Sequence, residues 1–103
     1  MALKYRIGAS YPSYPYKDPD SNLDYSFDWS SWLGETETIL TSTWEINGTD
    51  SALVETNSLI VDSSTVVWLN GGTLGVRYII TNHIVTSEGR ADDRSAYIKI
   101  REL

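Results

Sequence analysis

The chain has 103 residues, the size of one domain, and at that length roughly two thirds of the unfolded surface can be buried around a single core. Having no cysteine excludes a disulfide framework and thiolate metal sites. A net charge of −6 with only eight Lys and Arg, none of them clustered, excludes nucleic acid and anionic membranes as electrostatic partners.

The first twenty residues hold all three prolines, within "IGASYPSYPYKDPD". "LKYRI" suits a short edge strand. Beyond it Pro12, Pro15 and Pro19 break any ladder, because each fixes its own φ and biases the preceding residue toward extended geometry. Residues 1–20 therefore read as an extended arm, and about 14 extended residues reach up to about 45 Å. Its Tyr5, Tyr11, Tyr14 and Tyr16 offer large contact areas with few rotors to freeze. The arm is expected to lie along a neighbouring subunit, the alternative being a leader folded over an edge of its own domain. "MALKYRIGAS" lacks the apolar run of a signal peptide, and nothing further on is long and apolar enough to cross a bilayer, so a protein kept in the cytoplasm or released by lysis is expected.

From residue 21 to 103 the apolar positions alternate with period two. In "NLDYSFDWS", Leu23, Tyr25, Phe27 and Trp29 fall on one face, and Asn22, Asp24, Ser26 and Asp28 on the other. After a loop around Gly34, "TILTSTWEI" reads as a strand with Leu40, Trp44 and Ile46 inward. "NGTDSA" is a turn cluster. Short strands follow near 53–56 and 58–62, then the β-branched run "STVVWL". "NGGTLG" is a bend leading into the longest strand, "VRYIITNHIVT", and "SEGR" is a hairpin turn with Gly89 available for positive φ. The last strand places Ala96, Ile98 and Ile100 inward. About seven short antiparallel strands at this spacing predict an all-β sandwich.

The candidate sites are few. Asp18, Asp20, Asn22 and Asp24 alternate as at the start of a calcium loop, but the sixth and twelfth positions are Leu23 and Trp29 where Gly and Glu are required. "GGTLG" lacks the Lys and the helix of a phosphate loop. His83, the one histidine, falls on the solvent side of a flat strand with no oxyanion hole. Glu35/Glu37 and Asp92/Asp93 sit in turns, where charge is expected for solvation. No catalytic, cofactor or metal residue is assigned. Asn82 falls inward between Ile80 and Ile84, and a buried amide needs partners, so a structural pin is expected. Trp29 and Trp44 read as core, Trp32 as a cap on one end of the sandwich, and Trp68, out of phase with Val67 and Leu69, as a surface anchor for a partner.

"WLNGGTLGVRYII" resembles the tyrosine corner of immunoglobulin-like and fibronectin type III domains, with Tyr78 early in the strand after the bend. Over Tyr16 to Leu103, "KDPD…LDY…DW…WL" and "GGTLG…Y…TN…T…GR.D.RS" resemble small proteins encoded in tailed-phage and prophage head-gene clusters. The resemblance implies an immunoglobulin-like virion protein without enzymatic activity, assembled in the host cytoplasm. Expected on that basis is a capsid decoration or head–neck accessory protein whose partners are the major capsid protein, other head or neck subunits and copies of itself. A carbohydrate-binding or host-adhesion module, using Trp32 and Trp68, is the alternative.

Overall fold

The computed structural model describes the backbone of residues 5–7 and residues 16–102 in full. Its described residues form eight strands: β1 (Tyr5–Ile7), β2 (Tyr16–Lys17), β3 (Asn22–Asp28), β4 (Ile39–Asn47), β5 (Leu53–Val61), β6 (Ser64–Gly71), β7 (Arg77–Thr86) and β8 (Ala91–Ile100). The first sheet runs β1-β3-β6-β5 and the second β2-β8-β7-β4. The long strands pair antiparallel; the two short edges, β1 on β3 and β2 on β8, pair parallel.

Alternation makes this a sandwich. Tyr25 and Phe27 of β3, Leu53 of β5, and Val67 and Leu69 of β6 meet Ile39 of β4, Tyr78, Ile80 and Ile84 of β7, and Ile98 and Ile100 of β8 in one buried cluster. Trp29, just past β3, closes one end of it and is fully buried. Trp44 stacks on Phe27 with ring centroids 5.6 Å apart.

The expected alternation is displaced in three places. In β4 a bulge between Ile39 and Thr41 puts two residues against one of β7. A bulge of this kind resets the parity, so Ile39 turns inward and Leu40, expected in the core, is 60% exposed. β5 is one strand rather than two short ones, because the irregularity at Glu55–Asn57 interrupts the register without ending the ladder. In β3 the polar face is closed as well: Asp24 and Ser26 are buried beside their cross-strand neighbours Trp68 and Val66. A strand flanked on both sides has bulky neighbours over its polar positions too.

Two pieces of the segment expected as an arm, Tyr5–Ile7 and Tyr16–Lys17, are edge strands of the two sheets. Tyr11 and Tyr14 lie outside the described residues, as does the side chain of Tyr5. At the opposite side of the sandwich the long edge strands β4 and β5 lie next to one another.

Candidate docking surface

Four polar clusters hold the loops and faces in place. The first is at the bend after β6. Tyr78 is fully buried; its hydroxyl accepts the N–H of Thr73 at 3.0 Å and donates to Asp50 Oδ1 at 2.5 Å. Thr73 Oγ1 donates to the other Asp50 oxygen, and Ala52 N–H caps the carboxylate. These bonds, the tyrosine's first, hold the Asp50 carboxyl below its ordinary pKa. Gly71 and Gly72 take φ of 80° and 103°, which a side chain would resist. A Cβ on Gly48 would come within 2.5 Å of the Tyr78 ring, so the β4–β5 turn can close over the phenol only with glycine there.

The second cluster ties the two sheets together. Asn82 is fully buried. Its Oδ1 accepts from Trp29 Nε1 at 3.1 Å and from Thr65 Oγ1 at 2.5 Å, and its Nδ2 donates to Ser42 Oγ and to the Thr43 carbonyl. All four hydrogen-bonding positions of the amide are filled. They reach β4, β6 and the residue after β3.

The third cluster corrects the reading of Glu37 as a solvated turn residue. Its carboxylate is buried and bonded bidentately by Arg90, with further donors from Thr86 Oγ1 and Gly34 N–H. A loop that folds back over the end of β7 removes water from this side chain, and the paired guanidinium supplies what water would have. Arg90 first, then Gly34 and Thr86, lower the Glu37 pKa from 4.5 to about 2. The Arg90 guanidinium lies 4.1 Å over the Trp32 ring, and Trp32 meets Trp29 edge-on.

The fourth is Lys17, which sequence reasoning missed. It is fully buried, and its ammonium donates to the carbonyls of Asp18, Ser21 and Gly71. Burial pushes its pKa down, against Asp18 and Asp20, which raise it. Its position between Tyr16 and Asp18 looks like any exposed turn lysine; the carbonyl of Gly71, 54 residues away, leaves no local mark.

With these groups engaged internally, the outer face of the second sheet remains for contact. Cross-strand pairing aligns Tyr16, Lys99 and Arg77 in one row, and Tyr97 with Ile79 in the next. Arg77 lies over the Tyr97 ring and Arg101 over the Tyr16 ring, at 4.4 and 4.5 Å. A groove of about 270 Å³ opens here between Tyr16, Leu74, Gly75, Lys99, Ile100 and Arg101. Tyr16, Leu74, Ile79 and Tyr97 are all exposed around it. Toward the other end of the same face a second groove, about 240 Å³, is lined by Thr43, Trp44, Glu45, Thr81, His83 and Asp93.

His83 Nδ1 bonds Asp93 in that second groove, both side chains being about half exposed. A nucleophile there would lack an oxyanion hole, because the N–H groups of β7 are engaged in the ladders to β4 and β8. No three His, Cys, Asp or Glu side chains among the described residues form a group that could hold a metal ion. Trp68 is half-buried in the first sheet, away from both grooves. Trp32 has one ring face under Arg90. Trp44 Nε1 is buried without a hydrogen-bond partner among the described residues.

No curated protein matches the chain. A family model described as "Podophage GP4 fiber-tail adaptor protein gp77" matches residues 17–99, nearly the whole sandwich.

Proposed function

Since the chain belongs to the podophage GP4 fiber-tail adaptor protein gp77 family and is a structural component of the phage virion, we propose that it joins a podophage tail to its fiber. It works without enzymatic chemistry, as a rigid sandwich offering one surface to each side of the joint. The observation that carries this reading is the family match over residues 17–99. The family description speaks of tail and fiber, which supports a place at that joint over the expected capsid decoration or head–neck position.

The architecture suits a joint under load. Strand order supports reading the sandwich as immunoglobulin-like, with β1, β3, β6 and β5 as A, B, E and D, and β4, β7 and β8 as C, F and G. Tyr78 bonding back to Thr73 N–H fits the tyrosine corner of such domains. The Asn82 amide and the Glu37–Arg90 pair lock sheets and loops together, so a pull on one surface is transmitted through hydrogen bonds instead of being absorbed by a yielding loop. Two surfaces are presented on different sides. One is the outer face of the second sheet. The other is the side where the edge strands β4 and β5 of the two sheets lie next to one another, where Leu40, Val54, Leu59 and Ile60 are exposed and an added strand could bond to open main-chain groups.

The test is a phage in which the reading frame is interrupted by a nonsense codon and propagated without a suppressor. Filled heads with tails that lack fibers, restored by the protein supplied in trans, support the reading. Particles that carry fibers in its absence overturn it.

A further inference from the structure

The two grooves on the outer face of the second sheet carry opposite charge on a chain whose net charge is −6. The first groove is lined by Lys99 and Arg101, with Arg77 paired across from Lys99. The second is lined by Glu45 and Asp93, with His83 beside them. Of the described Lys and Arg side chains, Lys17, Arg90 and Arg94 are engaged within the fold, on carbonyls, on Glu37, and on the Asp28 carbonyl and Trp29 ring respectively. Arg77, Lys99 and Arg101 lie together at one end of this face, the two guanidiniums over the Tyr97 and Tyr16 rings and the Lys99 ammonium on the Gly75 carbonyl at 2.9 Å. None of them is bridged to a carboxylate among the described residues.

Asp93 and Lys99 lie six residues apart on β8, about 20 Å at the rise of a strand. One flat face therefore presents a basic, aromatic groove and an acidic groove of similar volume, displaced along the strand direction. We propose that this face is a self-complementary surface, on which the Lys99/Arg101 groove of one copy meets the Glu45/Asp93 groove of the next. The occupant is a second copy because both halves of the charge complementarity are present on this chain, on the same face and at matching size. Tyr16, Leu74, Ile79 and Tyr97 supply the apolar area that a charge pairing alone would lack.

A contact between two different patches is heterologous. Each copy that joins leaves one groove of each sign open at the ends, so the contact closes into a ring where the rotation between copies permits and otherwise runs on as a chain. Exposed charge pairs are weak and screened by salt, so the association is expected at high protein concentration and low ionic strength. This inference concerns the purified chain alone and stands or falls separately from the fiber–tail assignment.

Sedimentation velocity over a concentration series, in about 0.05 M and about 0.5 M NaCl, reads it directly, since the screening length falls severalfold between the two. The wild-type chain is expected to sediment as growing oligomers in low salt and as a monomer in high salt. The double variants Lys99→Glu/Arg101→Glu and Glu45→Lys/Asp93→Lys should each remain monomeric, and an equimolar mixture of the two should associate again, because each interface in the mixture is complementary once more. Unchanged thermal midpoints establish that the variants are folded, and the milder Lys99→Gln/Arg101→Gln pair should weaken association without abolishing it. A wild-type chain monomeric in low salt at all concentrations overturns the proposal, as does association that survives either charge reversal or a mixture that fails to regain it.

Discussion

Strand β7 shows its two faces side by side. Tyr78, Ile80, Asn82, Ile84 and Thr86 point into the sandwich and are buried; Arg77, Ile79 and His83 point out and are exposed. Inward residues are fixed by partners in other strands: Asn82 by Trp29, Thr65, Ser42 and Thr43, and Thr86 by Glu37. Outward residues make local cross-strand contacts, Arg77 over Tyr97 and His83 with Asp93, which leave them open to a second molecule. One strand thus separates stability from recognition by parity alone, and substitutions at adjacent positions should fall into two classes.

The largest effect is expected at Asn82. Asn82→Ala removes the four hydrogen bonds of a buried amide, leaves the Trp29 indole N–H only its longer bond to Thr65 Oγ1 at 3.2 Å, and opens a void, which should lower unfolding free energy by about 3 kcal/mol in urea titrations. A loss no larger than that of its neighbour His83 would break the comparison. Next is Glu37→Gln. Because the folded-state pKa is depressed, the carboxylate contributes stability that is fully present above about 4.5 and lost as the pH falls toward about 2. The variant should melt several degrees lower at neutral pH and lose less of its remaining stability across that acid window. A parallel pH profile for the two proteins would show that the Arg90 pairing does not form.

Tyr78→Phe keeps the ring over Gly48 and removes only the bonds to Asp50 and Thr73, so about 1 kcal/mol is expected from the same titrations. A loss of several kcal/mol would mean that the corner depends on the hydroxyl rather than on the buried ring. The smallest effect belongs to His83→Ala. Its exposed pairing with Asp93 should shift stability by no more than about 0.5 kcal/mol, and a larger change would mean that the outer face also carries the fold.

The same parity explains what could be read from sequence. Alternation along "NLDYSFDW" and "VRYIITNHIVT" is legible because a strand's side-chain direction is a local property, and six long strands in a sandwich follow from it. Leu40 misleads because a bulge depends on how β4 meets β7, not on β4 alone. Glu37 and Lys17 look like turn charges until Arg90 and Gly71, more than fifty residues further on, close over them. The face proposed for docking leaves still less of a local mark. Arg77, Lys99, Arg101 and Tyr16 are scattered along the chain and become one patch only when β2 pairs with β8 and β8 with β7. Tyr16 is legible as a contact residue because an aromatic anchor is visible in a linear string, whereas an assembled row of cations is not.

The most direct test of the central claim is a cryo-electron map of intact particles into which this sandwich is fitted. Ordered density for the β3–β8 body between the tail and the base of a fiber, in contact with both, is the result expected. The same body resolved on the capsid shell, or a fiber seated on the tail with no such density between them, contradicts the account.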